Sequence, residues 1–241
     1  MTELSQRLLT KYYADRAHPY RLFEQQVDCL IGKDTTVLLD AGYGRTMPVL
    51  KKYLGRVRRL IGVEMVEFTE VPAGIEAFNT DLAHLPLPDS SVDLIMSRSV
   101  FEHLADPVAV YREMARVLRP GGAVVFLTAN MWDYGTLVAR MVPNRFHARI
   151  VKHVEGRMEE DTFPTAYKTN TRGDVDRLAA GAGLKVAQFF YLSQYPNYLL
   201  FNGALFFIGM CFERLINRFE ALRLLRGWIL VTLRKPPATA P

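Results

Sequence analysis

Cysteine is nearly absent from the 241 residues. There are two, Cys29 and Cys211, far apart and flanked by apolar residues, with no C-x-x-C pair and no Cys/His cluster. A disulfide framework and a thiolate zinc site are thereby excluded as organising devices, and no metal site is expected. The amino terminus, MTELSQRLLTKYY, lacks a basic segment followed by an apolar run, so no secretory leader is expected and the chain reads as cytoplasmic. Internal repeats and low-complexity tracts are missing, which argues against a solenoid. No N-P-P-Y tetrad and no alternation of basic and aromatic residues along one face is found, so nucleic acid is not an expected partner. The apolar segment YLLFNGALFFIGMCF at 198–212 has one strongly polar residue in fifteen. Fifteen is short of the roughly 18–20 that cross a bilayer.

What is present is core-forming material. Hydrophobic residues make up 49% of the chain, enough for a substantial single domain. Charge is unevenly placed: residues 1–120 carry 15 Lys+Arg against 16 Asp+Glu, and residues 121–241 carry 15 against 9. The basic half is either a solvated surface or a contact for something anionic, such as a phosphate or a membrane headgroup.

Short apolar runs, rich in β-branched residues and bounded by turn signals, fall at 35–40, 59–64, 75–80, 92–97 and 123–128. Two more, LKVAQFFYLS and GWILVTLRK, come near the end. Each reads as a buried strand. Helical periodicity separates several of them, most clearly in PVAVYREMARVLR at 107–119, closed by PGG, and in 172–182. Two helices are expected before the first strand, over 3–15 and 19–31. Strand–helix alternation of this kind predicts a Rossmann-like, doubly wound, mostly parallel seven-stranded sheet with helices on both faces. An insertion is expected after the fifth strand and a helical one before the last. The expected organisation is one domain over 1–241, with a helical cap at 1–31, a ligand-binding core at 35–130 and insertions at 131–171 and 196–225. The link after Glu64, only about ten residues with a proline inside, is too short for a full crossover helix.

The first strand leads into Asp40-Ala41-Gly42-Tyr43-Gly44, with Thr46 where a third glycine would stand in a dinucleotide fingerprint. Glycines allow a sharp turn and a close approach of ligand to main chain. An aspartate ahead of the turn disfavours a diphosphate and suits a ligand bearing an ammonium and a sulfonium. A nicotinamide-dependent oxidoreductase is accordingly disfavoured.

The series LLDAGYGRT, IGVE, TDLAHLPLPDSSVDLIMS, VFEHLADP and ARVLRPGG, in this order over about residues 35–130, resembles the class I S-adenosylmethionine-dependent methyltransferases, particularly their small-molecule branch. The resemblance implies that S-adenosylmethionine is the cofactor. Asp40 with Gly42, Tyr43 and Gly44 would hold its methionine end, and Glu64 the two ribose hydroxyls. Asp81 would take the adenine amino group with the Leu82 amide beside it and Met65 against the ring. Ser97 would line the methionine side near the methyl group. Thr46 and the short link after Glu64 depart from the pattern; both bear on how tightly the cofactor is held.

Methyl transfer needs alignment and exclusion of water more than acid–base chemistry. Should the acceptor be a hydroxyl or an amine, His103 in Phe101-Glu102-His103-Leu104 is the first candidate base, set against a purely structural role at the turn. His153 in the insertion is a second candidate. Trp132, Tyr134, Phe146, Phe163 and Tyr167 form either a lid over the substrate or the insertion's own core. The apolar segment followed by Arg214, Arg218, Arg223 and Arg226 reads as peripheral membrane contact through 198–226, as a hydrophobic substrate tunnel, or as burial against the sheet or a homodimer partner. The expected acceptor is a small or lipid-like molecule. A degenerate member acting as a binding or assembly partner is the alternative.

Overall fold

The computed structural model describes residues 1–238 except Tyr43, Arg45, Thr46, 67–69 and 134–163. The expectations placed on Tyr43, Thr46, Tyr134, Phe146, His153 and Phe163 lie outside the described residues. Two compact units are present. One comprises residues 20–128, 166–190 and 230–241, the other residues 1–19, 129–165 and 191–229. The second therefore gathers the amino-terminal segment with parts of both stretches read as insertions.

Seven strands form one sheet: β1 (Val37–Ala41), β2 (Arg59–Glu64), β3 (Ile75–Asn79), β4 (Val92–Arg98), β5 (Leu118–Ala129), β6 (Lys185–Leu192) and β7 (Trp228–Arg234). Their order is β3-β2-β1-β4-β5-β7-β6. The pairings β3–β2, β2–β1, β1–β4 and β4–β5 are parallel. Gly121 donates its N–H to the Lys235 carbonyl at the start of β5, and Asn130 donates to Gly227 at its end, so β7 runs against β5. All five residues of β1 are buried, as expected of a strand covered on both faces.

Five α-helices occur among the described residues: α1 (Glu3–Tyr13), α2 (Pro19–Leu30), α3 (Pro107–Val117), α4 (Arg172–Gly181) and α5 (Gly203–Arg218). Local chemistry sets their starts. Asp106 accepts the Ala109 N–H at 3.1 Å ahead of Pro107, and Asn202 accepts the N–H groups of Ala204 and Leu205 at 3.0 and 3.2 Å. The sheet core is sealed by the parallel-stacked rings of Phe101 and Phe126, 4.0 Å apart, with Tyr111 edge-on to both.

Two boundaries differ from expectation. The helix read over 107–119 ends at Val117, and β5 begins at Leu118 instead of 123. The register jumps from Val92↔Leu118 to Leu94↔Ala123, so Arg119-Pro120-Gly121-Gly122 forms a bulge inside the strand. A bulge and a helix stop use the same residues, which is why the sequence could not separate them. The apolar segment at 196–225 resolves into α5 flanked by two short 3-10 turns, Asn197–Leu199 and Glu220–Leu225.

In the unit that holds α1 and α5, Phe206 and Met210 of α5 bury against Tyr13 of α1, with Leu8, Leu9, Tyr12, Tyr195 and Leu199 around them. The opposite face of α5 presents Leu205, Phe207, Ile208 and Leu215 to solvent. One side of the segment is thus core, and it lies on α1. No described helix is long and apolar enough to cross a membrane.

Candidate functional site

The strand order reverses beside β1, where the chain steps out through β2 and β3 and returns to β4. In open α/β sheets ligands bind outside the carboxyl ends of the strands at such a point. Asp40, Glu64 and Ser97 stand at three of those ends.

Gly42 follows β1 with φ +84° and donates its N–H to the Val63 carbonyl at 2.8 Å, tying the turn to β2. A Cβ placed there would lie 2.2 Å from Val100 Cγ2, so both backbone angle and crowding demand glycine. Gly44, also at positive φ, donates its N–H to Glu64 Oε2 at 2.9 Å, while Glu64 Oε1 accepts the Met65 N–H at 2.9 Å. The Glu64 carboxylate is therefore held by two main-chain donors, and it keeps lone pairs for a diol. Thr80 N–H and the Asn79 side-chain amide both donate to the Glu64 carbonyl, drawing the end of β3 to the end of β2.

Asp81 is exposed, and its Oδ1 accepts the Ala83 N–H at 3.0 Å, an Asx turn that fixes the loop. Leu82 beside it is buried, whereas Met65 is 59% exposed. Ser97 is fully buried and donates its hydroxyl to the Ala41 carbonyl at 2.7 Å. That bond joins β4 to β1, and what Ser97 offers a ligand is correspondingly less than its position at a strand end implied.

Asp40 is the electrostatic centre of the site. It is 4% exposed, and no described residue donates a hydrogen bond to its carboxylate. Burial pushes its pKa up to about 7; the Arg98 cation works in the opposite direction and the Glu64 charge adds to the rise. A cationic group brought against Asp40 would relieve this. Arg98 is itself anchored over the Tyr20 ring at 4.3 Å and lies 3.6 Å from Glu24. Tyr20 also shares a hydrogen bond with Ser99 at 3.3 Å. Neither Arg98 nor Tyr20 was picked out in the sequence; an arginine directly after a strand and a tyrosine at a helix start were the signals available.

His103 lies half-buried in a short 3-10 turn, its N–H bonded to the Val100 carbonyl at 2.9 Å. Its neighbour Glu102 is buried and receives the Thr128 hydroxyl, and its carbonyl accepts from Ala166 and Tyr167. Asn170 in turn donates to Thr128 at 3.0 Å, and Tyr111 shares a 2.7 Å bond with Thr169. This buried polar network pins residues 166–170 to the ends of β4 and β5. It joins residues 26 to 65 positions apart, and nothing local in the sequence marks it.

Residues 39–126 match the family model described as a methyltransferase domain. That stretch, less than half of the chain, is similar to methyltransferase domains. A Mycolicibacterium smegmatis protein named as an S-adenosylmethionine-dependent methyltransferase is 36% identical over 104 residues, covering 41% of this chain and 40% of the relative. The chain thus spans less than half the length of the curated relatives it matches. In fold it is similar to geranyl diphosphate C-methyltransferase from Streptomyces coelicolor A3(2), with TM-score 0.57 and 16% identity over 89% of this chain and 77% of that one. It is equally similar to the cyclase SpnF, with TM-score 0.56 and 16% identity over 90% and 81%. The sheet architecture is therefore shared with proteins of more than one chemistry.

Proposed function

We propose that this protein transfers the methyl group of S-adenosylmethionine to a small-molecule or lipid-like acceptor. The observation that carries the reading is Asp40: a buried carboxylate to which no described residue donates a hydrogen bond, its pKa raised to about 7, at the point where a doubly wound sheet takes its ligand. Such a group favours a ligand with an ammonium, because pairing restores the charge that burial suppresses.

In this reading Asp40 holds the ammonium, with the Gly42–Gly44 main chain beside it. Glu64, fixed by Gly44 and Met65, accepts the ribose hydroxyls, and Asp81 and Leu82 face the adenine with Met65 across the ring. When bound, the cofactor supplies a methyl group already activated on a sulfonium, so the chain's task is to align the acceptor and exclude water. His103 is the group we assign to receive the acceptor's proton. Exposure of Phe207, Ile208 and Leu215 next to Arg214 and Arg218 supports a lipid-like acceptor or contact with an anionic membrane.

A second reading, a fold retained for binding or assembly, is favoured by the prior engagement of Glu64 with Gly44 and of Ser97 with Ala41. Calorimetry separates the two. S-adenosylmethionine is expected to bind and NAD to give no heat; a folded protein that binds neither would establish the second reading.

A further inference from the structure

Exposed apolar side chains are gathered in one part of the molecule. Of the sixteen large hydrophobic residues that stand in solvent among the described residues, eleven belong to the unit that holds α1 and α5, which has only about a third of those residues. At about 3.6 residues per turn, Ile208, Cys211 and Leu215 of α5 fall in one stripe with Phe207 and Arg218 beside them, opposite the buried Phe206, Met210 and Glu213. Ile208 is 62% exposed and Phe207 50%. Phe201 and Phe219, on either side of the helix, are exposed as well. Patches of this kind mark contact surfaces.

Cations line one flank of the stripe, and acids do not. Lys11 Nζ stands 5.3 Å from the centre of the Tyr12 ring and the Arg214 guanidinium 4.3 Å from the same ring, so the two charges lie within about 10 Å of each other. Neither forms an ion pair among the described residues, nor does Arg218, one turn beyond Arg214. Glu213, the one acid of α5, is buried and held by Tyr13 and Arg16, and Glu220, the one acid of the turn after it, pairs with Arg223 and Arg226. Like charges gathered without a counter-charge repel, and an anion between them removes that cost.

A second copy of this face fits poorly, because it brings further apolar residues but no exposed acid of α5 for Lys11, Arg214 and Arg218. Anionic lipid supplies both halves at once, acyl chains for the stripe and phosphates for its flank. We propose that α5 lies flat on an anionic phospholipid surface, with Phe207, Ile208 and Leu215 among the acyl chains and Lys11, Arg214 and Arg218 on the headgroup phosphates. The docking rests on the membrane contact read above and on none of the cofactor-site residues, which belong to the other unit.

The full chain is sedimented, without S-adenosylmethionine, with vesicles of phosphatidylcholine alone and with vesicles in which about a third of the lipid is phosphatidylglycerol. Wild type is expected to partition at least about tenfold more strongly onto the anionic vesicles. Lys11→Gln, Arg214→Gln and Arg218→Gln should each weaken that binding about fivefold, the worth of one basic residue near an anionic surface, and the triple variant should bind both vesicles equally weakly. Ile208→Asp, at an exposed position, should keep the wild-type melting temperature and stay in the supernatant. Phe207→Trp should lose more fluorescence to brominated acyl chains than wild type does. Wild-type protein that ignores both vesicles, or binds both equally, would overturn the proposal, as would anionic binding that survives Ile208→Asp. A vesicle-indifferent dimer that Ile208→Asp converts to monomer would give the face to a second copy instead. Calorimetry with S-adenosylmethionine on the same preparations keeps the two readings apart: cofactor binding without sedimentation sinks the docking alone, and sedimentation without cofactor binding sinks the methyltransferase reading alone.

Discussion

Asp40 and Glu213 are buried to the same degree, each 4% exposed, and their surroundings are opposite. Glu213 is met by a phenol, a guanidinium and a side-chain amide, all from α1, the residues after it or its own helix. No described residue donates a hydrogen bond to the Asp40 carboxylate, the Arg98 cation only partly offsets its burial, and its pKa climbs to about 7. A buried carboxylate that serves the fold is satisfied within the fold, because an unpaired one costs several kcal/mol. One at a strand end that no described residue satisfies is consistent with a charge to be completed by something that binds.

The largest effect that would test this contrast is on stability. Glu213→Ala leaves the Tyr13 hydroxyl, Arg16 and Asn217 without their common acceptor. It is expected to cost about 3 kcal/mol in urea unfolding, with S-adenosylmethionine affinity unchanged. A mutant as stable as wild type would remove Glu213 from its structural role.

Asp40→Asn should do the reverse: at pH 8 it is expected to weaken S-adenosylmethionine at least tenfold, about 1.5–3 kcal/mol, read by calorimetry. The pH dependence sharpens this. In the unfolded chain Asp40 titrates near 3.8 and in the folded chain near 7, so between those values the folded state keeps a proton that the unfolded state has lost. The stability this contributes is complete below about pH 4 and is lost as pH rises through about 7. Asp40→Asn should flatten that slope and leave the ligand-free protein more stable than wild type at pH 8. Cofactor affinity of the wild type should fall as pH drops below about 7, since the ammonium pairs with the ionised form. A wild-type affinity that is flat from pH 5 to 8 would contradict the assignment.

The smallest effect sharpens the other side. Arg16 is 47% exposed at its side chain, so solvent screens its pair with Glu213. Arg16→Met should cost only about 1 kcal/mol by the same urea measurement, because Tyr13 and Asn217 still satisfy the carboxylate. A loss as large as that of Glu213→Ala would make the ion pair, and not the hydrogen-bond set, the source of its stability.

Period and punctuation made the sheet legible. The five-residue buried run of β1, the apolar stripe of α3 behind Asp106-Pro107, and strand-ending acids at Asp40 and Glu64 are local patterns, since side-chain direction follows backbone period and ligands gather at strand ends. The same patterns misjudged Arg119-Pro120-Gly121-Gly122, where a helix stop and a strand bulge draw on identical residues. They also left the two faces of the 198–212 segment unassigned, because apolar character does not say which side meets a partner.

What tertiary structure alone decided is the state of each polar group. Glu64 is oriented by Gly44, twenty residues earlier, and Arg98 by the Tyr20 ring. Glu213 is satisfied by Tyr13, two hundred positions away, and the buried Gln194 side-chain carbonyl has no donor among the described residues. Residue type and spacing determine which groups exist and on which face they lie. Whether a buried one is matched depends on what the fold brings within hydrogen-bond reach, about 3 Å, and that distance is not written in any local stretch of the chain.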